Sequence, residues 1–83
     1  MKVGSKTIAV AGTPEYLMSD DIIVLEVFLR PLTTNTGDVY VVDDTASDKV
    51  VIPTVGFVLP HGHPNALRID AEVGGEGVEY IAI

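Results

Sequence analysis

Ile22-Ile23-Val24-Leu25-Glu26-Val27-Phe28-Leu29-Arg30 decides the class of the fold, because it is the apolar stretch that can be argued as either helix or strand. Ser19, Asp20 or Asp21 would cap a helix here, and Pro31 would end it. Against a helix, four of the nine residues are β-branched, and such side chains lose χ1 freedom in one. As a strand the parity is informative. Ile23, Leu25, Val27 and Leu29 share a wholly apolar face, the expected core side. Ile22, Val24, Glu26, Phe28 and Arg30 share the other, mixing charge with an aromatic as a partly covered outer face does. The strand reading prevails.

Downstream the pattern repeats. Residues 31–38 are a threonine-rich loop closed by Asn35-Thr36-Gly37, with Asn35 and Gly37 the types that tolerate positive φ. Val39-Tyr40-Val41-Val42 follows as a strand. Residues 43–48 are an acidic loop, and Val50-Val51-Ile52 extends to Pro53, which suits an edge, a bend or a switch between sheets. Residues 55–59 continue as strand, with Gly56 a bulge or a point of close approach. Pro60-His61-Gly62-His63-Pro64-Asn65 is a turn. Leu67 and Ile69 then alternate with Arg68 and Asp70 in a half-buried strand. Gly74-Gly75-Glu76-Gly77 is the last turn before a strand over residues 78–83.

Upstream, Thr7-Ile8-Ala9-Val10 alternates as a strand stopped by Gly12-Thr13-Pro14. Tyr16, Leu17 and Met18 form an apolar patch in a loop, read as a lid on the core or as a partner contact. The sum is six to eight short strands with no helix beyond one turn. Residues 1–83 are therefore expected to form a single all-β domain, a small antiparallel β-sandwich or jelly roll.

Size and composition bear on stability. For 8.8 kDa, surface scaling gives about 4,800 Å² folded against about 12,800 Å² unfolded. With about 60% of the buried area apolar, burial contributes roughly 120 kcal/mol at ~25 cal/mol/Å². Ordering costs about 1.5 kcal/mol per residue, roughly 125 kcal/mol in all. The two nearly cancel. Cysteine is absent, so homo-oligomerisation or docking on a larger body is the expected source of extra stability. Hydrophobic residues are 47% of the chain, which predicts apolar surface left outside the protomer.

Other classes are disfavoured. Twelve acids against five bases give a net charge of −7, a field that repels phosphate backbones, so no nucleic-acid partner is expected. The longest aliphatic run, residues 22–25, is far short of the ~20 residues of a membrane helix. No secretory signal is visible behind Lys2 and Lys6, so synthesis in the cytoplasm is expected.

Candidate chemistry is sparse. His61-Gly62-His63 has the spacing of a metal-binding imidazole pair, but it sits between two prolines, and the next glutamate is Glu72. A structural turn is favoured over a metal site. Asp38, Asp43, Asp44 and Asp48 lack EF-hand spacing and read as a solvated acidic rim rather than a calcium site. No serine sits in a nucleophile elbow, and neither histidine has the context of a dyad. The glycines at residues 74–77 lack the lysine of a phosphate loop. Neither an enzymatic role nor a cofactor is expected.

Four stretches, in order, carry a resemblance: Ala11-Gly12-Thr13-Pro14 followed by Leu17, then Asn35-Thr36-Gly37-Asp38-Val39-Tyr40-Val41, Leu59-Pro60-His61-Gly62-His63 and Gly75-Glu76-Gly77-Val78-Glu79-Tyr80-Ile81-Ala82. Together they resemble a family of small virion-associated β-sandwich proteins of tailed bacteriophages. Val42 stands where that family often has glycine, and His63 where it has a small polar residue. The resemblance implies a non-enzymatic capsid decoration or head-fibre component on the outer capsid surface. Its partners would be the major capsid protein or other virion proteins. The contacting residues are expected to be Tyr16, Leu17, Met18, Phe28 and Tyr40, and the shaping turn residues Asn35, Gly37, Gly62 and Gly75. The alternative is a receptor- or glycan-binding module of a tail or fibre, for which three tyrosines and no tryptophan are a thin supply.

Overall fold

The computed structural model describes residues 1–42, 48–60 and 62–83. Its strands are β1 (Lys2–Thr7), β2 (Glu15–Tyr16), β3 (Val27–Pro31), β4 (Val39–Val42), β5 (Lys49–Val51), β6 (Phe57–Leu59), β7 (Arg68–Ala71) and β8 (Gly77–Ala82). A 3-10 turn at Pro64–Ala66 precedes β7. Pairing is nested and antiparallel: β1 with β8, β2 with β7, β3 with β6, and β4 with β5. Two further pairings, β3 with β8 and β4 with β7, complete two four-stranded sheets, β1-β8-β3-β6 and β2-β7-β4-β5. The chain changes sheet at every connection except the β4–β5 hairpin. This is a jelly roll, a small β-sandwich of two packed sheets. Ile8, Leu17, Val27, Leu29, Val39, Ile69 and Val78 fill the space between them.

The stretch 22–30 is strand only from Val27 onward. The N–H groups of Leu25 and Glu26 both donate to the Ile83 carbonyl, at 2.6 and 3.3 Å, and Ile83 N–H donates back to Glu26 at 3.0 Å. Two residues thus face one, which is a β-bulge, and a bulge shifts side-chain parity by one. Ile22 and Val24 pack on the core before it, and Val27 and Leu29 after it. Ile23 and Leu25, expected inside, are 81% and 84% exposed.

Four other expectations change. β1 ends at Thr7, and the turn after Val10 leaves that side chain exposed while Ile8 stays buried. Asp70 is buried under that turn, its Oδ1 accepting from Gly12 N–H at 3.0 Å and Ala71 N–H at 2.8 Å. Gly56 ends a turn at φ +82° rather than bulging a strand, so β6 starts only at Phe57. Its close approach is real, since a Cβ there would lie 2.6 Å from Phe28 Cζ. Gly37 does not have positive φ; a Cβ there would fit tightly, 3.0 Å from Glu72 Oε1 and from Val73 Cγ2. Gly75 does, at +87°.

Asn35 pins its turn to β8. Its Nδ2 donates to the Gly77 carbonyl at 2.7 Å, and its Oδ1 accepts from Gly77 N–H at 3.3 Å. Glu76 completes the clasp, accepting from Thr36 N–H, Thr36 Oγ1 and Gly37 N–H at 2.6, 2.9 and 2.9 Å. Those backbone donors hold the Glu76 carboxyl below its ordinary value of 4.5. The Ala9 N–H, and Lys6 after it, do the same for Glu15. Gly77 itself is crowded, because a Cβ there would overlap the Lys6 carbonyl oxygen and lie 2.7 Å from Thr7 Cα.

Gly77→Ala should cost more than about 3 kcal/mol in urea unfolding, since rigid backbone must move. Gly12→Ala, at φ +81° but in open space, should cost only about 1 kcal/mol. Both lowered carboxyls contribute stability that is complete above their ordinary value and lost as pH falls through the lowered one. Glu76→Gln should therefore lower the melting temperature at pH 7 and flatten its fall below pH 4.5. An unchanged acid slope in a calorimetric pH series would remove Glu76 from that account.

Candidate docking face

The register of the β1-β8-β3-β6 sheet decides which side chains leave the core. Val78, Tyr80 and Ala82 of β8 point inward, so Glu79 and Ile81 point outward. Across that outer face, Val3 pairs with Ile81, Ile81 with Phe28, and Phe28 with Val58. One apolar side chain from each of the four strands therefore lies in a single row. Val3 and Val58, at its two ends, are 63% and 51% exposed. Phe28, Val58, Ile81, Ile83 and Glu26 line a shallow apolar hollow at one side of the row. On the other side the Arg30 guanidinium is ion-paired with Glu79. Phe28 lies against the Gly56 turn, which holds its ring across the face.

The opposite outer face, on β2-β7-β4-β5, is built differently. Tyr16 and Tyr40 lie there, in register with Arg68 and Asp70. The Lys49 ammonium sits 4.3 Å from the Tyr40 ring centroid and caps it. Burial, then the charges of Glu72, Asp38 and Asp70, push the Tyr40 phenol above its ordinary value. This face mixes those polar groups with Val42 and with Val51, which is 47% exposed beside Tyr40.

Between β1 and β2 the sandwich opens into a polar cleft of about 760 Å³. Two ion pairs span it, Lys2 to Asp20 at 2.8 Å and Lys6 to Glu15 at 3.0 Å. Asp20, by hydrogen bond first and charge second, holds the Lys2 ammonium above its ordinary value.

The five residues expected to make contacts do not come together. Leu17 and Met18 are buried core, so the lid reading describes them and the contact reading does not. Tyr16 and Tyr40 sit on one side of the sandwich and Phe28 on the other. Val3, Val58, Ile81 and Ile83 were missed, because no two of the row are neighbours in sequence and only the register aligns them. Among the described residues no group of three or more His, Asp or Glu side chains gathers as a metal site. His61 of the His61–His63 pair lies outside the described residues, as do Asp43 and Asp44 of the acidic loop. Gly62 serves its turn through its carbonyl, which accepts from Val24 N–H at 2.9 Å. No described helix is long and apolar enough to cross a membrane. Comparison with family models, with curated proteins and with solved structures returns no match to this chain.

Proposed function

We propose that this chain is a non-enzymatic structural protein of a tailed-bacteriophage virion, a decoration or head-fibre component that assembles on the outer capsid surface and stabilises the shell. The observation that carries this reading is the apolar row across all four strands of one outer face. Such a face is an assembly surface more readily than a catalytic one. Burying about 300 Å² of it would contribute roughly 7 kcal/mol, comparable with the cost of association itself. A single contact of this kind is weak, and it becomes strong when repeated over a lattice. The jelly roll lends support by analogy alone, since viral capsid domains, lectins and cupins all use it. The charge of −7 suits a position away from packaged nucleic acid.

A receptor- or glycan-binding module of a tail or fibre is the second reading. Tyr16, exposed at the polar cleft beside Lys6 and Glu15, favours it by offering a ring for a sugar to stack on.

Shells prepared without this protein and then mixed with it separate the two readings. The double variant Val3→Glu/Val58→Glu should lower shell occupancy in co-sedimentation at least tenfold, about 1.4 kcal/mol, while Tyr16→Ala leaves it unchanged. Undiminished binding by the double variant would reject the docking face. Binding to a glycan array that Tyr16→Ala removes would favour the tail-side module.

A further inference from the structure

We infer that the outer face of the β1-β8-β3-β6 sheet pairs with the same face of a second copy, strands antiparallel, about a two-fold axis crossing β3 at Phe28. The inference rests on reading that face as an assembly surface and makes its occupant a second copy rather than the shell, which the dimer then meets elsewhere.

Charge order along β3 selects a second copy and its orientation. Outward side chains run Glu26, Phe28, Arg30, an acid and a base on either side of a ring. A two-fold axis lying between the faces and perpendicular to the strands lays Phe28 on its own image. It then sets Glu26 of each copy over Arg30 of the other. An axis parallel to β3 would instead stack Glu26 on Glu26 and Arg30 on Arg30, which is repulsive. The apolar row Val3, Ile81, Phe28, Val58 meets its own image under the first axis, as an isologous contact requires.

Size and net charge bear on the pairing. Four strands about 4.8 Å apart and about 20 Å long make a face on the order of 400 Å², which puts the pair at the small end of interface sizes. The apolar row supplies the centre, and Ser5, Glu26, Arg30 and Glu79 the polar rim. Glu26, Arg30 and Glu79 together contribute only −1 of the total −7, so most of the repulsion between copies lies away from the contact. Two sheets facing each other about 10 Å apart also repeat the packing inside each sandwich. The unit on a shell is then the dimer. Ile23 and Leu25, beyond the end of β3 and exposed, are left for the shell.

Light scattering with size exclusion on the full chain at about 100 µM should give twice the 8.8 kDa protomer mass. Val58→Lys, an exposed position that leaves the fold intact, should raise the dimer dissociation constant at least tenfold, and Phe28→Lys at least a hundredfold. Far-ultraviolet circular dichroism reports whether each variant is folded. Orientation is read with a short bismaleimide, since the chain has no cysteine of its own. Val58→Cys should cross-link to itself, because the perpendicular axis lays β6 over β6.

A monomer at that concentration, a trimer or other closed ring, or a dimer indifferent to Val58→Lys overturns the pairing. So does cross-linking of Val58→Cys only when mixed with Ile81→Cys, which is the mark of an axis along β3, where β6 lies over β8. A monomer whose shell occupancy still falls in Val3→Glu/Val58→Glu overturns the pairing alone. A dimer that Val58→Lys breaks, with shell occupancy unaffected by Val3→Glu/Val58→Glu, supports the pairing and removes the docking reading.

Discussion

Everything in this fold depends on β8 fitting between β1 and β3. That strand supplies Val78, Tyr80 and Ala82 to the core and the central backbone ladder to one sheet. Its entry is narrow, because Gly77 passes against the Lys6 carbonyl with no room for a Cβ. Asn35 holds the strand there by presenting its side-chain amide to Gly77, accepting from its N–H and donating to its carbonyl, which also takes Leu32 N–H. The Asn-Thr-Gly turn before β4 and the Gly-rich turn before β8 are therefore two halves of one clasp, joined through Glu76.

Much of this was legible in the sequence, and the losses have particular causes. The strand over residues 39–42 and the all-β class follow from β-branched runs between strong turn signals, which local chemistry dictates. The stretch 22–30 was strand-like throughout, yet its parity broke at Leu25 because both it and Glu26 bond to one carbonyl, that of Ile83. A bulge of that kind is set by a partner far along the chain and leaves no local mark. Asp70 read as a solvent-facing residue because alternation put it there. It does lie on the outer face, but the Gly12 turn folds over it and supplies a backbone donor. Gly37 was read for its backbone freedom, whereas its surroundings constrain its volume, with Glu72 and Val73 side chains close by.

The two outer faces show why composition alone does not locate a contact surface. Both carry aromatic residues. On one, Tyr40 is already capped by Lys49 and ringed by acids, so its apolar area is spoken for within the protomer. On the other, Phe28 aligns with three aliphatic side chains drawn from strands at residues 2–7, 57–59 and 77–82. Tyrosine content drew attention to the first face, whereas backbone register produces the second.

The nested pairing has a consequence for the living cell. β3 pairs with β6 and with β8, and β1 pairs only with β8. Until residue 82 has cleared the ribosome, β1 has no ladder partner, and β3 carries one open edge. At roughly 5–20 residues per second of synthesis, those early strands wait several seconds with their apolar side chains uncovered. Closure of the sandwich thus waits for β8 to emerge. The hydrophilic guards on the waiting first strand, Lys2, Ser5 and Lys6, help keep it from pairing with a neighbouring nascent chain in the meantime.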